Sequence, residues 1–294
     1  MLEDYEFLEV EPSQIAITQA DAVEKANVDS QVATAKAYPR VLKRSIENSI
    51  VMATMDYETA QSCGYALPRG GKPITGPSVH LAKIIVSNFG NMRTEAKVVQ
   101  ITDKQIISRG TCWDLENNVA SAFEVRRSIV GKGGQRFSDD MITVTGNAAN
   151  SIAYRNAVFA VIPKAITDKV YKAAQGMITG DLSDEAKMIK RRKAAIDAFS
   201  EYAITEEEVV KLCGKQTVSQ IKGQEIALLI GIFNSLRDGD TTVDDLMKPI
   251  RQSREAKMSR VAEAANASTQ PKAEPKEESK PEAKQQPKEE ASKQ

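Results

Sequence analysis

The sequence predicts an α+β protein: a three-stranded antiparallel β-meander packed by one long helix, with flanking helices, a small C-terminal helical unit and a disordered tail. Three observations carry this prediction. Residues 92–130 hold three stretches rich in β-branched and alternating residues, joined by the polar connections Thr102–Lys104 and Asp114–Asn118. Ser138, Asp139 and Asp140 then open a helical pattern over 139–161. Before and after this block the apolar spacing is helical rather than alternating.

Taken in order, residues 1–28 are acidic and weakly patterned and read as an N-terminal arm. Asp29 can cap a helix over 30–37. Tyr38-Pro39 breaks it, and Pro39 suits the first turn of a second helix through about Met55, with Val41, Ile46, Ile50 and Met52 inward. Residues 64–78 are rich in Gly and Pro, with two cations, Arg69 and Lys72, and no acid; they read as a phosphate-handling loop. Val79–Phe89 is a short helix stopped by Asn88 and Gly90. The strands fall at Met92–Ile101, Gln105–Trp113 and Asn118–Val130, with Gly131–Gly134 as a flexible exit. In the long helix, Ala148, Ala149, Ala153, Ala157 and Ala160 make one side slim enough to pack tightly on the sheet. Pro163 ends or kinks it, and helical pattern resumes to about Ala174 and again over Asp184–Ala203. Thr205–Glu208 is a capping box that starts a helical unit, followed by a helix over Gly223–Arg237. Residues 268–294 lack apolar anchors. The expected domains are thus an arm (1–28), a core (29–203), a small helical domain (204–252) and a tail (253–294).

The net charge of zero conceals a segregation. Residues 36–193 carry 24 Lys and Arg against 14 Asp and Glu, whereas residues 1–35 carry eight acids and one cation. A basic middle between acidic ends is the pattern of a polyanion binder. The three cysteines are far apart and the one histidine, His80, has no metal-ligand spacing around it, so a disulfide framework and a Cys/His metal site are not expected, and a reducing cytoplasm is. No stretch has the length and apolarity of a membrane span.

The Gly-rich run is not a Walker A motif, because Ala66 and Pro73 stand where Gly and Ser or Thr are required, and it is no dinucleotide fingerprint. Paired carboxylates stand at Asp139-Asp140, with Asp103, Asp114 and Glu116 in turns, and a metal nuclease would need several of them to converge on Mg²⁺; at a helix start, capping is the simpler role for Asp139-Asp140. No catalytic group, metal ligand or cofactor is therefore assigned. The better constellation is basic. Arg109 and Arg126 lie on neighbouring strands with parity that places them on one face; Lys132 and Arg136 sit in the exit loop; Arg155 lies on the long helix among Asn147, Asn150, Ser151 and Tyr154. A basic sheet face and a basic helix face would line a groove that follows a phosphate backbone, joined by Arg69 and Lys72 from the loop. Arg127, pointing the other way, reads as solvated. Tyr65, Trp113, Phe137 and Tyr154 are candidates for base stacking, with core packing the simpler role for Trp113.

Several blocks carry a resemblance. Cys63–Lys72, Gly76–Ala82, Gly90-Asn91, Arg136–Ile142 and Gly146–Ala157 resemble bacteriophage and prophage single-strand annealing recombinases of the RecT/Redβ/Erf type, over roughly residues 29–175. The resemblance implies a β-β-β-α core, binding of single-stranded DNA, annealing of complementary strands without ATP, assembly into rings or filaments, and a phage exonuclease or host single-strand binding protein as a partner. By position it implies that Arg69, Lys72, Arg109, Arg126, Lys132, Arg136 and Arg155 contact DNA. Two rival readings are a metal-dependent DNA nuclease and a phage structural or adaptor protein that does not touch DNA.

Overall fold

From the N-terminus, the computed structural model runs through α1 (Gln19–Ala37), α2 (Leu42–Ala53), α3 (Tyr57–Ser62), the hairpin β1 (Gly64–Arg69) and β2 (Lys72–Pro77), and α4 (Val79–Phe89). The meander β3 (Met92–Ile101), β4 (Gln105–Asp114) and β5 (Val119–Ser128) follows. Then come α5 (Asp139–Val161), α6 (Lys164–Thr179), α7 (Glu185–Asp197), α8 (Glu206–Leu212), α9 (Gly223–Arg237) and helical backbone over 243–250. The structure describes residues 19–253 except 70, 71, 132 and 181–184, together with residue 258; the side chains of residues 19, 20, 68, 69 and 72 lie outside the description. The chain divides into two units, Met1–Ile250 and Arg251–Gln294, and all of these helices and strands belong to the first. The arm over 1–18 and nearly all of the expected tail lie outside the described residues.

The meander forms where the sequence places it, as an antiparallel sheet with β4 in the centre. Alternation along β4 sets the two faces. Ile106, Ser108, Gly110, Cys112 and Asp114 are buried, whereas Gln105, Ile107, Arg109, Thr111 and Trp113 are exposed or half-buried. Helix α5 packs across β4 on the buried side. Ser138 caps it, accepting a hydrogen bond from the Met141 amide, and Asp139 and Asp140 fill its first turn, where negative charge complements the helix dipole. Of the slim side expected from its alanines, Ala149, Ala153 and Ala157 are fully buried and Ala148 is buried, whereas Ala160, at the end of the helix, is exposed. Contact is so close that a Cβ at Gly110 would stand 2.2 Å from the Ala153 carbonyl oxygen.

Four expectations are corrected. Helix α1 begins at Gln19, inside the segment read as an arm, because its alanines and paired polar residues sustain a helix without an apolar face. Among its described side chains only Ala35 is buried. Helix α2 starts at Leu42, not at Pro39: Val41 before it is extended, and Arg40 is held by Asp114 and Glu116. It buries Ser45, Ser49 and Ala53, small enough for close approach to α4, and leaves Val41 and Met52 exposed with Ile46 and Ile50 half-buried. Residues 64–78 form a hairpin rather than an open loop, in register from Gly64↔Pro77 to Arg69↔Lys72.

Residues 204–250, read as a separate domain, share one apolar core with the rest of their unit. Leu81, Ile85, Val170 and Phe199 pack in the same cluster as Ile226, Leu229, Ile232 and Met247. Two buried polar residues of α9 fix the hairpin: Asn234 Nδ2 donates to the carbonyls of Gln61 (2.7 Å) and Gly64 (2.8 Å), and Ser235 Oγ bonds both the amide (3.2 Å) and the carbonyl (2.9 Å) of Ala66. Buried backbone groups need such partners. The capping box Thr205/Glu208 is present as expected.

Candidate nucleic-acid interface

The face of the meander turned away from α5 gathers basic side chains through strand register alone. Arg109 lies directly opposite Lys97 on β3 and Glu124 on β5, and Arg126 lies opposite Ile107, on the same face. The expectation that Arg109 and Arg126 share a face therefore holds. Arg109, Arg126 and Lys97 are all exposed. Arg109 Nε is 3.7 Å from Glu124 and Lys97 Nζ is 3.0 Å from Glu95, while Arg126 has no ion pair or hydrogen bond among the described residues. Exposed pairs of this kind contribute about 0–1 kcal/mol, so a phosphate can replace the carboxylate partner at little loss. Trp113 lies half-buried on this face, its indole Nε1 donating to Asn118 Oδ1. Arg93, at the far end, is held by Gln31 and Glu24 of α1.

Arg136 is at the end of the sheet, exposed, and donates to the carbonyl of Thr102 (3.0 Å) in the β3–β4 turn. Arg69 and Lys72 pair at the tip of the hairpin, with side chains outside the described residues, and Lys132 also lies outside them.

The expected place of Arg155 in a groove is corrected outright. Arg155 is buried, ion-paired with Asp240 at 2.8 Å, and its guanidinium lies 4.2 Å above the Tyr65 ring. Arg127 is not solvated either: it donates to the carbonyls of Gly239 (2.6 Å) and Asp240 (3.1 Å). Together the two arginines fasten the turn after α9 onto β5 and α5. The expected groove between sheet and long helix is thus not formed by these residues, because α5 covers the face opposite Arg109 and Arg126. Of the candidate stacking residues, Tyr65 is taken by Arg155, Phe137 packs near Ile106 and Ile142, and Tyr154, whose phenol is pushed up by burial, accepts from Thr94; Trp113 alone of the four lies on the open face.

Lys97 escapes a reading of the sequence for a definite reason. Counting back from the β3–β4 turn sets Val98 opposite Arg109, but a β-bulge between Val98 and Gln100 shifts the register by one and puts Lys97 there. The adjacent apolar residues Val98 and Val99 break strict alternation, and that break is the signal of the bulge.

Among the described residues no group of three or more His, Cys, Asp or Glu side chains converges as for a metal ion. His80 Nε2 is 3.8 Å from Asp238. The three cysteines are free thiols; burial, and secondarily the charge of Asp114, pushes Cys112 up to about 12. Among the described residues no helix is long and apolar enough to cross a membrane. Comparison with known proteins gives no relative: no protein-family model, no curated protein and no solved structure matches the chain.

Proposed function

We propose that the open face of β3–β4–β5 binds the backbone of single-stranded DNA and that the protein anneals complementary strands without ATP. The observation that supports this reading is the register-fixed set Lys97, Arg109 and Arg126 on one exposed face beside Trp113. Cations spaced along adjacent strands meet successive phosphates and leave base edges free to sample a partner strand, and a single indole adds stacking without sequence preference. The three-stranded sheet with its packing helix and the sequence blocks that resemble RecT/Redβ/Erf-type recombinases favour the same reading, including a bacterial, phage-derived setting. A few cations per copy bind weakly, so copies acting side by side on one strand supply the avidity.

The test is fluorescence anisotropy of a labelled oligothymidylate across a salt series, with a complementary-strand annealing assay lacking nucleotide and Mg²⁺. Binding should weaken steeply with salt, and the triple substitution Lys97→Ala/Arg109→Ala/Arg126→Ala should reduce the log–log slope by about 2, at ~0.7 per phosphate contact on single strands. Absent or salt-independent binding overturns the reading.

A sharper comparison uses two neighbours in sequence. Arg126→Ala should weaken DNA binding with unchanged stability. Arg127→Ala should leave affinity intact while lowering stability by about 2 kcal/mol, the scale of charge-assisted hydrogen bonds, here to half-buried carbonyls. Equal effects of the two on affinity would show that the open face is not the interface.

A further inference from the structure

The run Lys190–Lys193 contains two half-buried arginines with opposite fates. Arg192 Nε donates to the Ile221 carbonyl at 2.7 Å. Arg191 instead stacks on Tyr57, its guanidinium carbon 4.3 Å from the ring centre, and among the described residues neither its Nη1 nor the buried Tyr57 hydroxyl has a hydrogen-bond partner. Burial raises the Tyr57 phenol, opposed by the Arg191 charge and by nearby Gln61, which stops short of hydrogen-bond geometry. Both side chains line a cleft of about 810 Å³ between α3, α7 and α9, a volume suited to a small ligand. One side of it is apolar, formed by Ala194 and Ala195 of α7, Ala198 just beyond that helix, and Leu229 and Phe233 of α9; Gln61, His80 and Asn234 are among the polar residues of the rest.

We propose that this cleft binds a small apolar monocarboxylate, such as an arylacetic acid, whose carboxylate is received by Arg191 and Tyr57. A guanidinium offers donors only, so its unmade bond calls for an acceptor, and a carboxylate meets it with the strongest geometry. Arg191 Nη1 and the Tyr57 hydroxyl are both closed off from solvent, so binding requires both side chains to turn into the cleft, exchanging unmade hydrogen bonds for made ones. Arg237, the other arginine in the lining, is already paired with Asp238 at 3.1 Å. Burial pushes Asp238 up, but the nearby His80 imidazole, 3.8 Å away, and the hydrogen bond from Arg237 outweigh this and pull it below the ordinary carboxylate value. The lining holds the carboxylates Asp56, Glu58 and Asp238 against the cations Arg191 and Arg237, so a dianion is repelled more strongly than a monoanion. The site is separate from the sheet face and does not rest on the strand-binding reading.

The experiment titrates the full chain with phenylacetate, 2-phenylacetamide and phenyl phosphate by ligand-observed NMR and calorimetry. Phenylacetate should bind at least ~10-fold more tightly than the amide, the scale of a charge-assisted hydrogen bond, and more tightly than the phosphate. Arg191→Met should weaken phenylacetate by about the same factor and Tyr57→Phe by less, with thermal midpoints confirming an intact fold. If Arg191→Met does not fold, Arg191→Lys decides, because it keeps the charge and loses the fork; its affinity should fall below wild type. Equal binding of acid and amide, tighter binding of the phosphate, undiminished affinity in the Arg191 variants, or no binding of any probe at millimolar concentration overturns the proposal.

Discussion

Arg40→Ala is expected to lower the unfolding free energy by about 4 kcal/mol, near the middle of the range for removing one partner of a buried ion pair. The side chain of Arg40 is 6% exposed and that of Asp114 7%. The guanidinium engages both Asp114 oxygens, one at 2.8 Å, and its Nε donates to Glu116 at 3.1 Å. The Arg40 amide also donates to Glu116 at 2.9 Å, and the guanidinium lies 4.1 Å over Phe89. The cluster ties the chain before α2 to the β4–β5 turn, 74 residues away in sequence. Loss of the arginine leaves Asp114 buried beside Cys112, bonded only by the Glu116 amide and by the amide and side chain of Asn117 among the described residues. At ~2–4 °C per kcal/mol for a unit of this size, the thermal midpoint should fall by about 8–16 °C.

The same cluster sets an acid dependence. Burial pushes Asp114 up, but hydrogen bonds from Arg40 and Asn117 outweigh this and hold it below the ordinary value; Glu116 is lowered first by the Arg40 amide and further by Asn91 and the guanidinium. A lowered carboxylate contributes stability above its unfolded pKa, about 4, and that contribution disappears as pH falls through the folded value. In Arg40→Ala, Asp114 loses the bonds and charge of Arg40 that lower it and keeps burial against the bonds from Asn117, so its pKa rises and acid costs the variant less than it costs wild type. Urea titrations at pH 7 and pH 3.5 should therefore show the gap between wild type and variant narrowing in acid. A constant gap would mean that packing on Phe89, not charge, is what Arg40 supplies. The double variant Arg40→Met/Asp114→Asn should lie closer to wild type than either single variant, since removing both charges leaves neither uncompensated.

How far the sequence carries the fold depends on the range of each signal. Caps are local, and Ser78, Ser138 and Thr205 start α4, α5 and α8 where the sequence predicts. Strand alternation is local too, and so the shared face of Arg109 and Arg126 is legible. Arg127 reads as solvated and Arg155 as a groove cation because their partners lie 113 and 85 residues away, beyond any spacing rule; the partner of Arg40, 74 residues away, is beyond one too. The side of the sheet covered by α5 is in principle legible. Ile106, Ser108, Gly110 and Cys112 are small or apolar, whereas Arg109, Thr111 and Trp113 alternate with them; a glycine within a strand marks close approach of another backbone. Reading Gly110 in that way places α5 opposite Arg109 and rules out the sheet-and-helix groove. For Arg191 and Tyr57 no sequence signal exists, since what distinguishes them is the lack of a partner in the folded chain.

Gly110→Ala should destabilise the protein by about 3 kcal/mol or more, at the upper end for overpacking, although it adds one methyl group. The added Cβ would meet the Ala153 carbonyl oxygen at 2.2 Å, its carbon at 2.3 Å and the Tyr154 nitrogen at 2.7 Å. These are backbone atoms held in the hydrogen-bond ladder of α5, and no rotamer change moves them. Relief requires the helix to lift from β4 by more than an ångström, which also opens the contact between Gly146 and Ile106 at the other end of the crossing. An internal control has the opposite sign. A Cβ at Gly176 in α6 meets nothing within 4 Å, so Gly176→Ala should stabilise by about 0.5–1 kcal/mol through helix propensity and a less flexible unfolded chain. Chemical denaturation of the two variants compares one chemical change in two settings. A Gly110→Ala variant within 1 kcal/mol of wild type would refute the close approach of α5 to β4. Adding Ala153→Gly should not rescue Gly110→Ala, because the colliding atoms belong to the Ala153 backbone; a rescue would mean that side-chain crowding, not backbone contact, sets the distance between helix and sheet.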